Sequence, residues 1–155
     1  METVNLKMIP FEKESLQPVI EKLGAYKRGA EVKSIKCLGG GAYGLVFELE
    51  YNDGGVEILK AFKIASMLGS EAEALRLLRE VSPLKVPKVF YTHQADEQFP
   101  IDMLAMEKIE GVNALSCFLK MYSKKQKKHF AKTVTDALFK IQQTEGEKAS
   151  KESPS

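Results

Sequence analysis

The stretch Leu38-Gly39-Gly40-Gly41-Ala42-Tyr43-Gly44-Leu45-Val46-Phe47 decides how this chain is read. Gly39, Gly41, Gly44 and Val46 fit the pattern G-x-G-x-x-G-x-V. On either side, Glu31 to Leu38 and Leu45 to Tyr51 alternate apolar and polar residues, the period of half-buried strands. Gly39 to Gly44 is therefore expected to form a turn between two strands, not the strand-to-helix junction of a dinucleotide fold. A glycine hairpin lets backbone N–H groups approach phosphate oxygens without interference from Cβ, and several amides aimed at one place act as an anion nest. Gly40, Gly41 and Ala42 are the expected donors, with Tyr43 at the tip shielding the phosphates.

Working outward, Asn52-Asp53-Gly54-Gly55 supplies turn residues, and Val56 to Ala65 follows as a third strand of an antiparallel meander. That strand carries Ala61-Phe62-Lys63, and a glycine-rich hairpin followed by A-x-K on the next strand is the phosphate grip of kinases. ATP is the expected ligand. Alternation puts Lys63 on the face of Ala61, where the small alanine leaves space for a flat adenine. An inward ammonium needs a counter-charge, because a buried unpaired ion costs several kcal/mol, on the order of the effective penalty per ion. Glu71 is the expected partner, since it shares a helix face with Leu75 and Leu78, whereas Glu73 looks outward. The alternative for Glu71 is a favourable charge at a helix N-terminus.

Further along, Glu12 to Ala25 reads as a short amphipathic helix, with Pro18 near its start. Ser70 is the expected N-cap of a helix running to about Val81. Val86 to Thr92 and Ile101 to Ile109 read as two more strands. Three strands, one helix and two strands make an α+β arrangement, a five-stranded antiparallel sheet with one packed helix, plus the leading helix and C-terminal helices. From Ser123 to Gln143 the stripe Phe130, Val134, Ala137, Leu138 and Ile141 predicts a helix that must be covered. The expected division is a first domain over 1–111, a helical extension over 112–144 and a flexible tail over 145–155.

The composition is that of a globular chain: 155 residues, 44% hydrophobic and 28% charged. A net charge of +2 points to neither nucleic acid nor membrane as partner, and Lys124, Lys125, Lys127 and Lys128 read as a solvated helix face. Cys37 and Cys117 have neither zinc nor disulfide spacing, no metal site is expected, and the expected location is cytoplasmic.

Three runs carry a resemblance: Ser70-Glu71-Ala72-Glu73-Ala74-Leu75 through Leu78, Val86-Pro87-Lys88-Val89, and Met103 through Gly111. They resemble the aminoglycoside phosphotransferase and choline kinase group of kinase-like enzymes, over roughly Val32 to Phe118. The resemblance implies a kinase-like N-terminal lobe and its hinge. It also implies that Met106 closes the back of the adenine pocket, while the carbonyl of Glu107 and the amide of Ile109 pair with the adenine edge. In that group the chemistry lies beyond a helix corresponding to 123–143, in a His-Gly-Asp loop with a downstream Asn and a metal-binding Asp. This chain has only His93 and His129, neither followed by Asp at that spacing. The separation of Lys63 from Glu71 is also short for the group's ion pair.

The expectation is therefore an ATP-binding lobe of a small-molecule phosphotransferase, inactive by itself, with Mg²⁺ engaged only alongside a C-terminal lobe. Such a lobe or a second copy, packing on the 123–143 helix, is the expected protein partner. The alternative is a self-contained, non-catalytic nucleotide-binding or regulatory module.

Overall fold

The computed structural model describes residues 9–111 and 123–152. Its elements run α1 (Lys13–Arg28), β1 (Val32–Gly41), β2 (Gly44–Tyr51), β3 (Val56–Phe62), α2 (Met67–Val81), β4 (Val89–His93), β5 (Asp102–Met106) and α3 (Lys124–Glu152). The strands form one antiparallel sheet in the order β1-β2-β3-β5-β4, so the α+β, five-stranded expectation holds. The chain divides into two compact units: residues 1–76 with 87–108, and residues 77–86 with 109–155.

In the first unit both faces of the sheet are covered. Leu16, Ile20, Leu23 and Gly24 recur at helical spacing along α1 and are buried. The three leucine and isoleucine side chains pack with Phe47, Leu49 and Tyr51 of β2, Leu59 and Ala61 of β3, and Met103 and Ala105 of β5. Gly24 permits this approach, since a Cβ there would lie 2.6 Å from Leu49 Cδ2 and 2.7 Å from Tyr51 Oη. The helix ends at Gly29, whose φ of 69° and N–H bond to the Ala25 carbonyl form a left-handed cap. On the opposite face Phe62 and Leu104 pack against Leu68 and Ala72 of α2, with Leu75, Val89 and Met106 at the margin. The leading helix is thus as much a part of the sheet's core as α2.

Several boundaries differ from expectation. β3 stops at Phe62, and α2 begins at Met67, so Ser70 lies inside the helix rather than capping it. Pro18 sits in the second turn of α1 and is exposed, away from the buried stripe. α3 continues to Glu152, past residue 145, through a segment rich in the good helix formers Glu, Lys and Ala. Along α3 Ala137 is buried and Val134 and Ile141 are half-buried, while Phe130 and Leu138 are 38% and 54% exposed. Cys117 falls outside the described residues. No helix among those described is long and apolar enough to cross a membrane.

A polar cluster ties the C-terminal end of α1 to the β2–β3 hairpin. Glu57, only 5% exposed, accepts hydrogen bonds from the Tyr51 hydroxyl at 2.7 Å and from Arg28 Nη1 at 3.2 Å. Arg28 Nε donates to Asp53 at 2.9 Å, and the guanidinium lies 4.8 Å from the Tyr51 ring centroid. Burial, then the Glu57 carboxylate, pushes the Tyr51 phenol far above its ordinary value. Tyr91 is raised by the same two causes, and its buried hydroxyl has no hydrogen-bond partner among the described residues. Because both folded values lie above the unfolded one, their stabilisation is full below about pH 10 and fades as pH rises beyond it. In an alkaline titration, phenolate absorbance of these two tyrosines should therefore appear together with the loss of circular dichroism. Ionisation of both while the fold persists would contradict this.

Candidate functional site

β1 and β2 are paired out to Gly41↔Gly44, leaving only Ala42 and Tyr43 in the turn, with Tyr43 56% exposed. The expected turn over Gly39 to Gly44 is thus shorter than its glycines suggest. Gly39 sits instead at a bulge: the register shifts between Cys37 and Gly39, and Gly39 takes a φ of 116°, a conformation costly to any other residue. The hairpin is anchored to the third strand by the Lys63 N–H, which donates to the Tyr43 carbonyl at 2.9 Å.

Beneath this hairpin stands a lysine, but not the expected one. Lys60 Nζ donates to both oxygens of Glu71, at 2.7 and 2.9 Å. Lys63 lies one residue past β3, and its side chain is exposed. The register explains the difference. Val46, Lys60 and Leu104 stand side by side on β2, β3 and β5, so Lys60 lies on the face that α2 covers. Ala61 points the other way and is fully buried with the α1 residues, so it cannot line a cleft beside Lys60. Ile58, two residues before Lys60, shares the Lys60 face instead. Glu71 is placed by the first turns of α2, one residue before the buried Ala72.

Gly44 makes room for the lysine stem. A Cβ there would lie 2.8 Å from the Ala61 carbonyl oxygen and 3.2 Å from Lys60 Cε, whereas a Cβ at Gly41 meets nothing within 4 Å. Gly44→Ala is expected to cost about 1–3 kcal/mol, the usual range for overpacking, and to disturb Lys60. Gly41→Ala should be close to neutral in the same chemical denaturation experiment, and equal effects at the two positions would contradict this packing.

The Lys60–Glu71 pair is about one-quarter exposed on each side, 26% and 28%. The ammonium also lies 5.2 Å from the Phe62 ring centroid. A pair this open to water adds little to stability, yet it holds a cation at a fixed point under the glycine hairpin. Val46 beside it, and Ile58 and Met106 in the adjacent cross-strand row, are half-buried apolar residues on the same face. At the end of β5 the Glu107 N–H donates to the Lys88 carbonyl at 2.8 Å, and the Lys88 N–H donates to a Glu107 carboxylate oxygen at 3.3 Å. Ile109 belongs to the second unit and is not placed against these residues. The site thus unites Gly44, Val46, Lys60, Glu71 and Met106, with Ile58 and Lys60 as the residues that sequence reasoning missed. The short Lys63-to-Glu71 separation was the available signal, and Lys60 lies three residues further from Glu71. Among the described residues no group of three or more acidic, histidine or cysteine side chains could hold a metal ion.

No protein-family model matches the chain, and no curated protein matches it. Among solved structures it is similar to that of APH(2'')-IIIa, an aminoglycoside phosphotransferase, in complex with GDP and kanamycin. The identity is 18% and the TM-score 0.45, over 63% of this chain and 31% of that one. The chain therefore spans about a third of the length of that protein.

Proposed function

We propose that this chain is an ATP-binding lobe of the kind that small-molecule phosphotransferases use, with Lys60 as its phosphate-gripping residue. The observation that carries the reading is the two-pronged Lys60–Glu71 pair beneath a glycine hairpin whose Gly44 clears the lysine stem. In this role the carboxylate fixes the ammonium where phosphate oxygens arrive. The amides of Gly39 to Tyr43 meet the same phosphates, and Val46, Ile58 and Met106 make an apolar floor for the base. The main-chain carbonyl of Glu107, just past the end of β5, then serves the adenine edge.

Phosphoryl transfer further needs a group orienting the acceptor hydroxyl and side chains holding Mg²⁺. The sequence has no His-x-Asp to supply them. The proposed activity of these residues is thus binding without transfer, with catalysis, Mg²⁺ and acceptor recognition falling to a C-terminal lobe. The exposed Phe130, Leu138 and Phe139 of α3 are the surface such a partner would cover. Titration with a fluorescent ATP analogue tests the reading: saturable binding competed by ATP, with no ADP formed on adding Mg²⁺, is expected. Binding that unlabelled ATP cannot compete would overturn the first half, and phosphorylation of any acceptor would overturn the second.

A further inference from the structure

A second ion pair lies on the same face of the sheet. Lys108 Nζ is 2.7 Å from Glu48 Oε1, with the two side chains 36% and 24% exposed. Glu48 on β2 is the register neighbour of Ile58 on β3, and Ile58 is in turn the neighbour of Met106 on β5. Lys108 follows Met106 by two residues. The two charged groups therefore start on opposite sides of β3, separated by two strand spacings of about 4.8 Å each, and meet over it beside Ile58. Lys36, the cross-strand neighbour of Glu48 on the other side, is exposed.

We infer that Glu48 and Lys108 form a bar across the base-binding end of the cleft, closing over Ile58 until a nucleotide base displaces it. The inference rests on the proposed nucleotide reading. It supplies what the Lys60–Glu71 pair does not, a contact that holds the apolar floor covered when no ligand is present. The Glu48–Lys108 ion pair is only partly buried, so by itself it adds little to stability and opens at small cost. A ligand that opens it gains the Ile58 surface in exchange for that pair.

The test has a ligand-free arm. Ile58→Cys is made in a Cys37→Ser, Cys117→Ser background and labelled with a small neutral maleimide, with and without Lys108→Met or Glu48→Gln. Either substitution should speed labelling about two- to fivefold, the range an ion pair this exposed supports. In the otherwise wild-type chain each should also lower the Kd for ATP by a similar factor, and the double variant should do no better than either single one. An unchanged labelling rate in both variants overturns the bar whatever ATP does. Faster labelling with weaker ATP binding overturns it too, making the pair part of the ligand's own contacts. Faster labelling with no ATP binding in any chain separates the two claims: the cover over Ile58 stands, and the nucleotide reading with its displacing base falls.

Discussion

Replacing Lys60 by methionine is expected to abolish the thermal stabilisation that the proposed ATP binding gives the wild-type chain, while Lys63→Ala leaves it intact. A ligand at a hundred times its Kd that binds only the folded state adds about 2.7 kcal/mol. For a domain of this size that corresponds to roughly 5–10 °C. Methionine keeps the unbranched stem between Gly44 and Phe62 and removes only the ammonium, so packing changes little. The lost pair itself contributes about 0–1 kcal/mol, because both partners are a quarter exposed. The ligand-free variant should therefore unfold within a few degrees of wild type, which separates loss of binding from loss of fold. Retained stabilisation in Lys60→Met, or its loss in Lys63→Ala, would return the phosphate grip to Lys63.

A comparable effect, on stability rather than binding, is expected at the opposite face. Arg28→Met should cost about 3 kcal/mol, the lower end of the range for removing one partner from a buried pair. Glu57 has only 6% of its side chain exposed, and without Arg28 its sole remaining hydrogen bond among those described is from Tyr51. Arg28 is 28% exposed, which keeps the figure from the upper end. Its link to Asp53 is also lost, together with the cation over the Tyr51 ring. The Arg28→Met, Glu57→Gln double variant leaves no unpaired buried charge, since Asp53 is 45% exposed, and should recover part of the loss. Urea denaturation of the two single variants and the double one gives the cycle directly, and an Arg28→Met cost below about 1 kcal/mol would show that water reaches Glu57.

The lysine partner of Glu71 was misassigned in the sequence for a physical reason. In a strand with one buried face, alternation tells which residues point inward. β3 is covered on both faces, by α1 over Leu59 and Ala61 and by α2 over Phe62, so it reads as an almost continuous apolar run. Within such a run Ala61-Phe62-Lys63 spells the motif as well as its neighbours do, and only the register with Val46 and Leu104 assigns Lys60 to the α2 face. Elements with strong local signals were legible: the Asn52-Asp53-Gly54-Gly55 turn, the α1 stripe and the succession of three strands, one helix and two strands along the chain. The helix start at Met67 was not, because Ser70 has the chemistry of a cap while Leu68 and Ala72, set by packing against Phe62 and Leu104, decide where the helix lies. The Glu48–Lys108 pair joins residues sixty positions apart, and no spacing rule reaches it before the sheet register is known.

The most direct test of Lys60 as the phosphate-gripping residue is labelling with an acyl-phosphate derivative of ATP, which transfers its acyl group to a lysine amine lying against the bound phosphates. Digestion and peptide mass spectrometry then identify the modified residue. Acylation of Lys60, suppressed by excess ATP and reduced in Gly44→Ala, is the predicted result. Acylation of Lys63, or labelling spread over surface lysines and insensitive to ATP, would contradict it.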